Sequence, residues 1–178
     1  MIFSTRFVRV LFNAENKVMP KQNSINQLFY LTFSLQVVIA TLLLTVGYLV
    51  TPLLFNQLPV KQAGDIAGQL FSGVAIFSII GFVLLALQSC RLQQQLRHRW
   101  FWLFSLIVMT VLLFGIAPWM ADIKSGYPQG ISHDSPQWSL FSALHGIYQL
   151  GYLTVLIMTL YGIYKNLQSE VFITKASE

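Results

Sequence analysis

Apolar residues run along this chain in four long blocks, without the strict alternation of a half-buried strand, and the polar positions collect between the blocks. The first block, 27–50, reads QLFYLTFSLQVVIATLLLTVGYLV and holds no ionisable acid or base. Pro52 follows it and predicts its end, because proline cannot extend the helical hydrogen-bond ladder. The second block starts after Pro59 and runs over 60–90; the third, 100–120, reads WFWLFSLIVMTVLLFGIAPWM, with Pro118 close to its end. A turn-rich stretch carrying Gly126, Pro128, Gly130 and Pro136 leads to the fourth block, 138–164, which is expected to stop near Lys165.

A hydrocarbon layer about 30 Å thick takes roughly 20 helical residues to cross. Each block is that long, and lipid offers the backbone no hydrogen-bond partner, so the blocks must be helices or barrel strands. Runs of this length without alternation exclude strands. The predicted fold is all-α: an integral membrane bundle of four transmembrane helices.

Composition sharpens this reading. Of the 178 residues, 55% are hydrophobic and 10% charged, against about 25% charged in an ordinary soluble domain. No repeat and no second domain is visible. The predicted organisation is a basic amphipathic segment at 1–24, a membrane domain at 25–165 and a tail at 166–178. RFVRVLF near the start suits a membrane surface better than a cleaved signal, since Asn13, Glu15, Asn16 and Lys17 interrupt its apolar run. Met19 is an alternative start to Met1.

The net charge of +5 raises the question of nucleic acid, and the placement of the cations answers it. They flank apolar blocks and form no basic stripe interleaved with stacking aromatics, so no nucleic-acid partner is expected. Nine of them, Arg6, Arg9, Lys17, Lys21, Arg91, Arg97, Arg99, Lys165 and Lys175, fall on one side of the proposed spans, and only Lys61 and Lys124 fall on the other. Cytoplasmic flanks carry the excess, so both termini are expected in the cytoplasm. Trp100, Trp102, Trp119, Trp138, Tyr161 and Tyr164 sit at span ends, where the headgroup level favours them.

Candidate chemistry is sparse. Gly64 and Gly68 form a GxxxG pair with Ala63 and Ala67 beside them, a pattern for close helix packing within the bundle or between two copies. Asp65, Gln69 and Ser72 line one stripe of the second helix, and Ser142, His145 and Gln149 line one on the fourth, near Tyr148 and Tyr152. Counting at ~1.5 Å per residue from Arg91 and Lys165 sets Gln69 and His145 at the same depth, just inside the outer interface. Asp65 lies slightly above, where His133 and Asp134 of the last loop can fold back.

Asp65, Gln69, His133, Asp134 and His145, with Asp122 nearby, are therefore the candidate outer-face polar cluster. Such groups can ligate a divalent metal or carry protons. The competing reading is that His145 hydrogen-bonds across helices to Gln69 or Asp65 while the loop acids are solvated. Gln36, mid-span with Thr32 and Thr41 near it, is expected to bond between helices.

Several chemistries lack their residues. Cys90 is the only cysteine, so no intrachain disulfide and no Cys-based zinc or iron–sulfur site can form. His145 is the only histidine within a span, which rules out bis-histidine haem ligation inside one chain. No nucleophile–base arrangement, phosphate loop or intramembrane carboxylate pair is visible. Neither enzyme activity nor a cofactor is expected.

TPLLFNQLP at 51–59, AGDIAGQLF at 63–71 and LFSALHG at 140–146 together resemble a bacterial inner-membrane domain family of unknown function numbered 4149, itself similar to transmembrane protein 205-like proteins. The resemblance spans about 28–165. It implies a four-span bundle in which Pro52 to Phe55, Leu58, Pro59, Gly64, Gly68, Phe71 and His145 are shared features, and it implies no activity. The basic beginning and the long last loop depart from the pattern. Two functions remain open on the sequence: a structural or accessory protein that packs against other membrane proteins or a second copy, and a transporter or metal-handling component using the outer cluster.

Overall fold

A computed structural model describes residues 22–91 and 96–175. The segment 1–21, with both candidate starts and RFVRVLF, lies outside the described residues. Residues up to Leu31 form a unit apart from the one that begins at Thr32. Of the first unit only the opening turns of helix 1 are described, and the packing below concerns the second.

All regular elements among the described residues are helical. Helix α1 runs from Gln22–Leu44 through a π-helical segment, Thr45–Val50, into Thr51–Gln57. Helix α2 is Val60–Arg91. Helix α3 runs from Leu96–Val111 through a second π-helical segment, Leu112–Ile116, into Ala117–Ser125. Helix α4 is Trp138–Lys175. Four stretches, Gln27–Gln57, Val60–Ser89, Trp100–Ser125 and Trp138–Gln168, are long and apolar enough to cross a membrane. At 26 to 31 residues each, they span about 39–46 Å, enough to carry both ends past the hydrocarbon.

The outward surface fits lipid. Leu49, Ile80, Ile107, Phe114, Leu150 and Ile157 are all more than half exposed, and an apolar surface this continuous is foreign to a water-soluble monomer. The chain is a multi-pass membrane bundle. Its two ends are named here by what they carry: the loop end, where α1 meets α2 and α3 meets α4, and the basic end, with Arg91, Trp100 and Gln168.

The predicted end of α1 at Pro52 is corrected: the helix continues to Gln57. Proline removes one N–H and crowds the carbonyl four residues back, and the chain meets this by widening beforehand. The N–H of Thr51 reaches back to the carbonyl of Val46, and the Thr51 hydroxyl donates to the same oxygen at 2.7 Å. Pro52 then falls in the first turn of the renewed α-helix, where a missing donor costs little. Helix α3 repeats the device. The N–H of Ala117 bonds the carbonyl of Leu112, Pro118 follows, and the helix runs to Ser125 where an end at 120 was predicted.

The true break is Pro59. It holds Leu58 extended at φ −122° and ψ 155°, as a residue preceding proline prefers. The Leu58 N–H closes α1 on the Leu54 carbonyl, and the Pro59 carbonyl opens α2 by accepting from Ala63. Two residues thus make the whole turn. Helix α4 also outlasts its predicted stop near Lys165, reaching Lys175, because residues 166–175 contain neither glycine nor proline.

In the core, Phe82 of α2 stacks on Trp102 of α3 at 6.2 Å between ring centroids. Trp102 is only 3% exposed and points into the bundle, whereas Trp100, two residues away and on the opposite side, faces out. Close approach uses glycines other than the GxxxG pair. A Cβ on Gly162 would stand 2.5 Å from the Trp102 ring, one on Gly47 2.8 Å from Tyr152, and one on Gly151 3.0 Å from Leu112.

Buried amides pair between helices, as expected for Gln36, while the buried hydroxyls of Ser89 and Thr159 bond back to their own helix. The Gln36 Oε1 accepts from Asn166 Nδ2 at 2.9 Å, joining α1 to α4, with Gln36 1% exposed. Thr32 donates to Gln88 at 2.6 Å and joins α1 to α2. Among the described residues, Ser78 Oγ is the buried side-chain polar atom without a partner.

Two predictions follow from this packing. Gly162→Ala gains up to ~1 kcal/mol of helix propensity, but forcing a methyl against a locked indole costs about 1–3 kcal/mol; its melting temperature in detergent should fall, whereas Gly68→Ala, with nothing within 4 Å of the new Cβ, should melt at or above the parent. Gln36→Leu should lose about 1 kcal/mol by removing the buried hydrogen bond from Asn166, and denaturant titration of the variant against the parent measures it.

Candidate functional site

The polar residues at the loop end are placed by three elements: the first two turns of α2, the last turns of α3 and the loop 126–137. Helix α3 ends at Gly126, and the loop then turns on itself, with Gly130 N–H donating to the Tyr127 carbonyl at 2.9 Å. Gly130 has φ +97°, a conformation that glycine adopts without steric cost. Its α-carbon therefore comes close to α2: a Cβ there would lie 3.7 Å from the Lys61 Cβ.

Lys61 secures the loop by donating from Nζ to the Pro128 carbonyl at 2.6 Å. Lys124 secures the end of α3 by an ion pair to Asp65 Oδ1 at 2.8 Å. Both side chains of this pair are partly exposed, 31% for Lys124 and 49% for Asp65, so the pair contributes at most about 1 kcal/mol. The two cations that the sequence places on this side therefore act as braces across the loop end. Lys124 is the partner of Asp65 that sequence reasoning missed. The signal lay in the continuation of α3 through Pro118, which carries Lys124 to the level of Asp65.

The rest of the candidate cluster is not assembled. His145 was expected to reach across to Gln69 or Asp65, but it accepts instead from the Gln149 amide one turn along its own helix, Nε2 to Nε2 at 2.9 Å. His145, Gln149 and Ser142 are exposed. The inward side of α4 belongs to Tyr148 and Tyr152, 6% and 3% exposed, which meet Phe71 of α2 edge-on at 5.8 and 5.0 Å between centroids. Phe71 takes the inward place on α2, and Gln69, about 200° around the helix from it, points out. The predicted equal depth of the two stripes agrees with the Phe71 to Tyr148 contact; the predicted convergence does not occur.

In the loop, the His133 ring packs on Trp138 at 4.1 Å between centroids. Asp134 and Asp122 are exposed. No hydrogen bond or ion pair joins Asp65, Gln69, His133, Asp134 and His145 to one another among the described residues. Nor, among those residues, do three His, Cys, Asp or Glu side chains group so as to hold a metal ion.

The GxxxG pair divides in the same way. Ala63 and Ala67 are buried. Gly64 has Lys124 Nζ and the Phe55 ring as its nearest neighbours, at 3.7 and 3.9 Å from an added Cβ, while Gly68 and Gly73 meet nothing within 4 Å. The pair thus edges the bundle rather than packing its interior.

A further feature, absent from the sequence reading, lies one layer deeper. The Tyr152 hydroxyl donates to the Leu43 carbonyl at 3.1 Å, just ahead of the first π-helical segment. Tyr152 also covers Gly47 within that segment, and the adjacent Gly151 touches Leu112, the first residue of the second one. Two consecutive residues of α4 therefore contact both helical irregularities.

No curated protein and no solved structure matches the chain. Residues 42–127 match the family model of a domain of unknown function, DUF4149. This stretch is narrower than the 28–165 read from the motifs, and LFSALHG with His145 falls outside it. The matched stretch runs from the later half of α1 through α3, across both π-helical segments and the Lys124 to Asp65 brace, and it is this part of the chain that is similar to DUF4149.

Proposed function

We propose that this protein is a non-enzymatic accessory component of the bacterial inner membrane, with both ends in the cytoplasm, that works by packing against another membrane protein or a second copy of itself. The observation that carries this reading is the open glycine edge of α2: Gly68 and Gly73 have no neighbour within 4 Å inside the chain. Glycine in a helix costs up to ~1 kcal/mol relative to alanine, and in lipid its return comes when another backbone approaches closely. Ser72 fits the same face, since its hydroxyl is turned back onto the Gly68 carbonyl at 2.9 Å and presents no unsatisfied donor. The orientation rests on the nine-to-two distribution of Lys and Arg.

Transport or metal handling has no observation in its favour. Asp65 is engaged by Lys124 and His145 by Gln149, and the groups that would have to converge on a solute are held apart.

Two measurements test the proposal. A photocrosslinking residue at Gly73 or Ile76 should capture one discrete protein adduct in native membranes, while the same residue at Leu160 of α4 should not; equal labelling of lipid alone at all three positions would refute the packing role. For orientation, a fluorescent protein fused after residue 178 should be bright and a periplasm-dependent phosphatase inserted at Ser132 active. The reverse pattern would invert the bundle.

A further inference from the structure

The two ends of the bundle are held together by different forces. At the basic end the ties are buried and neutral: Gln36 to Asn166 and Thr32 to Gln88, with Trp102 locked between Phe82 and Gly162. Contacts between α2 and α3 concentrate on the Leu96–Val111 half of α3 and thin out beyond its π-helical segment. At the loop end α2 is tied to α3 by the exposed ion pair of Asp65 with Lys124, and to the following loop by the hydrogen bond from Lys61 to the Pro128 carbonyl. Between the two ends lies the layer where Thr45–Val50 and Leu112–Ile116 depart from α-helical geometry, each followed at once by a proline segment.

A π-helical segment followed by proline is a place where a helix can bend, because its hydrogen-bond ladder has already been shifted by one residue and lacks a donor. Here two such places flank one pair of residues, Gly151 and Tyr152, on a helix with no break of its own. We infer that the loop-end half of α3, Ala117–Ser125, is a jointed arm that swings away from α2 about the Leu112–Ile116 segment, with Lys124 to Asp65 as the strap that holds it closed. The strap is exposed and ionic, so salt or the loss of either charge releases it. Below the joint α3 is held by Trp102, buried between Phe82 of α2 and Gly162 of α4; this packing does not respond to salt, and that half stays fixed.

The experiment uses the full chain carrying Cys90→Ser in lipid nanodiscs, with spin labels on the exposed positions Gln62 and Ala121 above the joint, and on Leu87 and Phe104 below it. The upper pair should give a principal distance and a second, longer one, and the longer population should grow in Lys124→Gln and at raised salt. Exchanging the charges, Asp65→Lys with Lys124→Asp, should return it to the parental proportion. The lower pair should give one unchanged distance throughout. A single upper distance that ignores Lys124→Gln and salt overturns the proposal, and so does a lower pair that broadens together with the upper, since the whole helix would then be moving.

Discussion

Lipid offers the peptide group no hydrogen-bond partner, and the rest of this structure follows from that. Each N–H and carbonyl inside the membrane must be satisfied within its helix or by a nearby side chain. The chain nevertheless places prolines at 52 and 118, inside two of its four spans. In water an interior proline commonly ends a helix. Here the ladder shifts to longer bonds just before each proline, and at the first of them Thr51 supplies both its N–H and its hydroxyl to the Val46 carbonyl. The carbonyl of Leu43 receives the hydroxyl of Tyr152 from a neighbouring helix. The irregular backbone lies against protein on α4, where donors for it are within reach.

The same constraint explains which parts of the fold were legible in the sequence. The number of spans, the limits of α2 and the turn at Pro59 follow from block length and from one proline that has no compensating geometry. The continuation of α1 and α3 through Pro52 and Pro118 was not legible, because the rule that proline ends a helix carries no information about the residues that widen the preceding turn. Gln36 was readable as an interhelical bond, since a mid-span amide has few alternatives. Its partner Asn166 was not, because the predicted end of α4 fell just short of it.

At the candidate site depth was readable and direction was not. Counting residues fixed how far down each helix a side chain lies, and the contact of Phe71 with Tyr148 agrees with that count. Rotation about the helix axis is decided by which residues fill the core. Tyr148, Tyr152 and Phe71 fill it, and once those rings point inward, His145 and Gln69 must point elsewhere. A polar stripe on an apolar helix does not mark the buried face when large aromatics compete for it, because the rings bring far more contact area.

Close packing follows a related logic. Between helices in lipid there is no hydrophobic driving force, and association depends on van der Waals fit and on hydrogen bonds. The glycines that provide fit inside this chain are isolated ones, Gly47, Gly81, Gly151 and Gly162, each set against a bulky side chain of a neighbour: Tyr152, Ile39, Leu112 and Trp102. They form no repeating motif, because a knob and its hollow need only one glycine. The repeating pair lies at the edge, with Gly64 against Lys124 and Phe55 and Gly68 meeting nothing within 4 Å. Motif glycines and interior glycines thus answer different geometric needs, and in this bundle the interior is held by the unpatterned ones.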